Sequence, residues 1–239
     1  VKGKVQLGIF PWHESWNTFS RVVANRPGNA PAHMWGPSPR LAPNDWIVPQ
    51  SYLNIDGDAG TAAYGIAGDL SRAGFLKYDI TNLAYHLPNL RRGAVIGVGG
   101  GRDLISAKLF GVEQVTGIEI NPAFVDLLTN EPRFSEFVGL NQLDGVSLVV
   151  DEARSWFARS RDQFDLIQMS LIDTWAATSA GAFTLSENGL YTIEAWEIFF
   201  RRLTPAGVFT VSRWYSPGDV NETGRMVSLA VAALIKSGV

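Results

Sequence analysis

Residues 94–122 constrain this chain more than any other stretch. An apolar run at 94–98, bounded by glycines, reads as a buried strand. Gly99, Gly100 and Gly101 then form a tight turn, and Leu104, Ile105, Lys108 and Leu109 follow at helical spacing. A second strand over 115–120 carries Glu119 near its end. Asn121 is placed to cap the next helix, and Pro122 suits its first position. Strand, glycine turn, helix, strand and acid, in that order, make the first half of a nucleotide-binding α/β sheet.

Each part has a chemical role. Glycine lets backbone approach a ligand where a Cβ would clash. The helix start behind the turn offers N–H groups. A carboxylate at the end of the second strand accepts the hydroxyls of a ribose, and Glu119 follows Gly99 by 20 residues, the usual distance for that role. Dinucleotide sites want G-x-G-x-x-G/A. Counting from Gly97 the last position is Arg102, and from Gly99 it is Leu104, so both registers fail. Adenosyl-sulfonium sites tolerate G-x-G-x-G, which Gly97, Gly99 and Gly101 satisfy. The sulfonium reading therefore leads. A nicotinamide dehydrogenase comes far behind it, and the bland alternative is a glycine turn with no ligand.

The 239 residues suffice for one large domain or two small ones with a real core. Apolar residues are 46% and charged residues 18%, the balance of a globular chain. The net charge of −3 and the lack of a basic run argue against nucleic acid as a partner. No cysteine is present, which removes disulfides, thiolate metal sites and cysteine nucleophiles. His13, His33 and His86 lack metal-ligand spacing, so no metal is expected. The apolar run at 226–235 is too short to span a bilayer, and no signal peptide is visible. The chain starts at Val1, which predicts a fragment with sequence missing at both ends.

Along the chain, β-like runs at 5–10 and 19–24 flank an aromatic group of Trp12, Trp16 and Phe19. Six prolines between 26 and 50 (Pro27, Pro31, Pro37, Pro39, Pro43, Pro49) predict an irregular loop. A strand at 52–55, a turn at Asp56-Gly57-Asp58 and a return strand at 60–65 follow, the two aspartates serving turn chemistry. A helix is predicted over 79–85. Residues 1–90 thus form a small β-rich lead-in with a Pro-rich loop, and 91–239 an α/β domain. In that domain strands are expected at 146–150, 164–169 and 208–214, and helices at 192–203 and 221–236. Pro205-Ala206-Gly207 ends the first of these helices, whose apolar face holds Ile193, Trp196, Phe200 and Leu203. Alternating strands and helices imply a parallel sheet covered on both faces. Its carboxyl edge collects the glycine turn, Glu119, Asp151 with Glu152, and residues 170–173, one group per strand. That edge is where open α/β sheets hold ligands. Helix capping is the strong alternative for Asp103 and Asp151.

From about Tyr52 to Trp214 the sequence resembles the spermidine synthase family, in the runs IGVGGGRDLISA, VTGIEINP and LSENGLYTIEAW. It is similar in particular to bacterial spermidine-synthase-like domains attached to membrane segments. The resemblance implies a Rossmann-like, class I methyltransferase-type parallel sheet with a small N-terminal β-rich domain. It implies a cytoplasmic domain whose partners are S-adenosylmethionine or its decarboxylated form and a small-molecule amine; a homodimer stays open. The family's glycine turn falls on Gly99, Gly100 and Gly101, and its ribose-binding acid on Glu119. Its adenine-binding Asp-Gly pair falls on Glu152-Ala153, with Asp151 adjacent, and its substrate-gate Tyr falls on Tyr78.

Two positions depart from the family pattern. Its catalytic Asp-Ser-Ser-Asp appears here as Ser170-Leu171-Ile172-Asp173, so the second Asp survives and the proton acceptor becomes Ser170. Its Asp after the glycines, which holds the donor ammonium, becomes Arg102. A serine hydroxyl does not replace a carboxylate as a base at neutral pH without a base of its own. Arg102, if turned inward, would pair with the carboxylate of intact S-adenosylmethionine and repel a decarboxylated donor; otherwise it faces solvent. Three readings result: an aminopropyltransferase in which Asp173 takes over proton and ammonium duties, a methyltransferase, and a nucleotide-binding domain without chemistry.

Overall fold

In the computed structural model of the chain, residues 11–18, 20–42, 44–56, 59–172, 189–215, 217–218 and 221–238 are described. The expectations for residues 5–10, Phe19, Gly57, Asp58, Asp173 and Gly181 lie outside them.

The first sheet is antiparallel and is drawn from β1 (His13–Trp16), β2 (Arg21–Ala24), β3 (Gly28–Pro31), β4 (Ile47–Ile55) and β5 (Ala59–Tyr64). The nine-residue β4 organises it. β3 pairs with its first half, β2 with its last residues, and β5 with Gln50–Ile55 along the other edge. The proline-rich window is thus not wholly irregular. Pro31 ends a short edge strand and Pro49 sits in β4 opposite Asn29, where its missing N–H matters little while its carbonyl still accepts from Gly65 N. Of the predicted aromatic group, Trp12 packs on Phe134 and Phe137, while Trp16 is 67% exposed.

Two 3-10 helices, Leu70–Tyr78 and Ile80–His86, join the sheets. The second replaces the helix predicted over 79–85, with Asp79 as its cap. The parallel sheet follows: β6 (Arg92–Ile96), α1 (Arg102–Leu109), β7 (Gln114–Glu119), α2 (Pro122–Thr129), α3 (Pro132–Val138), β8 (Val146–Val150), α4 (Ala153–Arg159), β9 (Phe164–Ser170), α5 (Ile193–Arg201), β10 (Leu203–Ser212) and α6 (Asn221–Lys236). The strand order is β10-β9-β6-β7-β8, all parallel. Order therefore reverses at β6, between β9 and β7.

After Arg92, β6 carries no polar side chain, because both faces are covered from Gly93 on. Val95 joins one core with α1, α2 and α3, while Ala94 and Ile96 join another with α4, α5 and α6. The first core also takes Val22, Leu53 and Tyr64 from the antiparallel sheet, so the two sheets share one hydrophobic interior. α5 buries Ala195, Trp196 and Phe199, with Ile193 and Phe200 of the predicted face partly buried beside them; it ends at Arg201, ahead of Pro205-Ala206-Gly207, so Leu203 of that face falls in β10. β10 starts five residues before the predicted strand. Leu203 already pairs with Phe164, and the ladder resumes at Val208 after an irregularity that absorbs Pro205-Ala206-Gly207. Among the described residues no helix is long and apolar enough to cross a membrane.

Candidate functional site

The reversal of strand order puts the glycine turn next to the end of β9. Ile96 pairs with Met169, so Gly97 leaves β6 beside Ser170, the last residue of β9, which still pairs with Ser212 of β10. In open α/β sheets this is where a ligand crevice forms. The turn itself explains the spacing of its glycines. Gly97, Gly99 and Gly101 have φ of 79°, 50° and 82°, a left-handed conformation that side chains rarely adopt. Gly100 is required for another reason: a Cβ there would lie 2.5 Å from the carbonyl oxygen of Ala62 in β5. The nearest neighbours of these glycines are the protein's own residues, Ile172 at Gly97, Thr61 at Gly99 and Leu140 at Gly101.

Glu119 ends β7 and is 7% exposed. Its Oε2 accepts from the backbone N–H of Val98 at 2.9 Å and of Gly99 at 3.2 Å, and its Oε1 accepts from Asn121 N at 2.9 Å. The acid thus touches the glycine turn directly. Burial pushes its carboxyl above the ordinary value, and the backbone donors oppose that rise. The N–H group of Ile120 also acts on this carboxylate, which therefore sits in a nest of backbone donors at the strand end. Asn121 caps α2 through Ala123 N, as expected, and also donates to Ser20 Oγ, tying the antiparallel sheet to the strand end.

Arg102 meets neither expectation. It is 4% exposed, so it does not face solvent. Its Nη1 donates to Asp79 at 2.9 Å, and its Nη2 to Thr81 Oγ1 at 2.7 Å and Asp103 at 2.9 Å. Three of its five N–H donors are thereby committed to the protein itself. Burial works against its charge, but Asp103, Tyr64 and Asp79 outweigh that and raise its pKa. Asp103 is accordingly an ion-pair partner and not a cap. Asp79, unnoticed in the sequence except as a helix boundary, also accepts from Trp35 N and Gly36 N. One buried carboxylate therefore holds the Pro-rich segment, a 3-10 helix and α1 together.

After β8 the cap is Glu152, which accepts from Arg154 N and Ser155 N, and not Asp151. Asp151 accepts from Glu152 N and pairs with Arg159. Tyr78 ends the first 3-10 helix and is 47% exposed, its carbonyl accepting from Ser38 N. Ser170 is half-buried at the end of β9, and its Oγ accepts from Gln168 Nε2 at 2.9 Å. Leu171 follows with φ of 48°. Asp56, also left-handed at 51°, sits in the expected turn, while its carboxylate accepts from Arg21 N of β2 at 2.8 Å, a contact across the sheet. Among the described residues no cluster of His, Asp or Glu could hold a metal ion.

Gln168 and Tyr85 were missed. Gln168 is fully buried between Ile167 and Met169, and a lone amide in an apolar strand was the available signal. Tyr85 donates to Gln168 Oε1 at 2.5 Å across 83 residues of chain, which no local pattern reveals.

No family model matches the sequence, and no curated protein does. Solved structures do match the fold. The crystal structure of spermidine synthase from Thermotoga maritima superposes with a TM-score of 0.55 at 16% identity, over 95% of this chain and 64% of that one. A spermidine synthase in complex with the transition-state analogue AdoDATO gives 0.57 at 16% identity, with the same coverage. This chain spans 64% of the length of those enzymes. An antiparallel sheet leading into a parallel sheet whose order reverses at the glycine turn is the spermidine synthase fold, and this chain has it.

Proposed function

We propose that this chain is a transferase domain that binds an S-adenosylmethionine-type sulfonium nucleotide at the carboxyl edge of its parallel sheet. The observation that carries the reading is the contact of Glu119 with the N–H groups of Val98 and Gly99, which joins a ribose-type acid to the glycine turn where strand order reverses. The neighbour crystallised with AdoDATO supports the same ligand class. When bound, such a nucleotide supplies an electrophilic carbon beside its sulfonium. Glu119 Oε1 accepts a ribose hydroxyl, the turn lets backbone approach, and Asp151 and Glu152 lie at the next strand end toward the base. Gly99, Gly100, Gly101 and Tyr78 keep the roles the resemblance implies.

The fold favours aminopropyl transfer from decarboxylated S-adenosylmethionine to a polyamine. That reading leaves the proton to Asp173, since Ser170 carries no base. A methyltransferase acting with the intact donor is the second reading, favoured by the same serine. Titration calorimetry with S-adenosylmethionine, its decarboxylated form and 5′-methylthioadenosine tests the shared core. Binding that Glu119→Ala weakens by about tenfold or more is the expected result, since the hydrogen bonds at stake are charge-assisted. If none of the three binds, the proposal fails.

A further inference from the structure

The buried polar chain behind Ser170 has a direction. Thr81 contributes only a carbonyl oxygen to it, which accepts from Gln168 at 3.2 Å, so the Gln168 atom there is Nε2. The second hydrogen of Nε2 goes to Ser170 Oγ at 2.9 Å. Oε1 is left to accept from the Tyr85 hydroxyl. Burial, aided by Asp103, raises the Tyr85 pKa well above its ordinary value, so the phenol keeps its proton and stays a donor. Every hydrogen bond in the sequence Tyr85, Gln168, Ser170 therefore points the same way. With one Oγ acceptor position filled by an amide, the Ser170 O–H has no acceptor among the described residues.

Ser170 follows Met169, the partner of Ile96, and so lies next to Gly97 in the register where strand order reverses. Glu119, at the end of β7, lies on the far side of β6. A nucleotide with its ribose at Glu119 and its tail crossing the glycine turn brings the tail to Ser170. We propose that Gln168 sets Ser170 as a hydrogen-bond donor facing the crevice, so that this position recognises a nucleotide tail bearing a carboxylate and does not take a proton from an amine. The inference rests on the sulfonium-nucleotide reading, takes the second form of it, with the intact donor, and names the ligand chemistry at one end of that site. It also moves donor preference from Arg102, whose charge is matched inside the protein, to a neutral polarised serine.

The test is calorimetry on the whole chain with three probes: 5′-methylthioadenosine, which has no charged tail, intact S-adenosylmethionine, and decarboxylated S-adenosylmethionine. The parent is expected to bind the intact form more tightly than the decarboxylated one. Ser170→Ala should leave 5′-methylthioadenosine unchanged and weaken the intact form by about tenfold, the scale of one hydrogen bond to a charged group. Ser170→Asp should invert the order of the two tailed ligands. Gln168→Leu, checked for folding by its thermal melt, should lower the ratio of intact to decarboxylated affinity while 5′-methylthioadenosine binding holds. A purely structural glutamine would move all three affinities together. Binding of 5′-methylthioadenosine with no preference for the intact tail, or a preference that survives Ser170→Ala, overturns this inference and leaves the nucleotide site standing. Failure of all three probes removes both.

Discussion

Glu119 and Asp165 are carboxylates that folding treats in opposite ways. Asp165 is the second residue of β9, where burial is outweighed by the N–H groups of Arg92 and Arg91 and by Thr204, and its pKa falls. Its contribution to stability is present above the unfolded value of 3.8 and is lost as pH drops through the lower folded value. For Glu119 desolvation wins and the pKa rises, so its contribution is complete below 4.5 and is lost as pH climbs through the raised folded value. Melting the parent beside Glu119→Gln from pH 4.5 to neutrality should show the parent losing ground to the variant; a flat difference means the carboxylate is not desolvated. Nucleotide affinity should rise over the same window, because ribose hydroxyls donate best to the ionised form. Arg102 belongs to this scale too. Arg102→Met strands the Asp79 and Asp103 carboxylates, whose partner sits 5% exposed, and should cost on the order of 3 kcal/mol in urea denaturation. A loss below about 1 kcal/mol, the worth of a surface pair, would show the network to be dispensable.

At the scale of elements the glycine turn and the caps decide local shape. Gly101 and Gly111 have nearly equal φ, 82° and 87°, but a Cβ meets Leu140 at 2.8 Å in the first and nothing within 4 Å in the second. Gly111→Ala should therefore cost about 1–2 kcal/mol of left-handed strain, and Gly101→Ala measurably more; equal losses would mean Leu140 moves aside freely. Glu152→Ala removes two cap hydrogen bonds from α4 and should cost about 0.5–2 kcal/mol. The spacing at 97, 99 and 101 was legible because positive φ demands glycine at those positions. The 3-10 character of Ile80–His86 was not, since periods of 3 and 3.6 coincide over two turns. Nor was the early start of β10, because pairing of Leu203 with Phe164 depends on a strand 39 positions away.

Over the whole molecule, one hydrophobic core runs from the antiparallel sheet through α1 to β6. Gly100 against Ala62 and Asn121 against Ser20 add polar and backbone contacts across the same seam. The proposed division at residue 90 should thus be a division of architecture and not of stability. A single unfolding transition, coincident by tryptophan fluorescence and far-ultraviolet circular dichroism, is the expected outcome; two separated transitions would show the sheets to fold apart. The sequence by itself determined the alternation of strands and helices, the glycine turn, the acid that follows it and the cap at Asn121, because each is written in near-neighbour spacing. Only the tertiary structure decided what those residues touch. It committed Arg102 to Asp79, gave the cap after β8 to Glu152, and lined up Tyr85, Gln168 and Ser170 from two distant segments. Buried polar groups must find partners wherever the fold brings them, and separation along the chain carries no record of that choice.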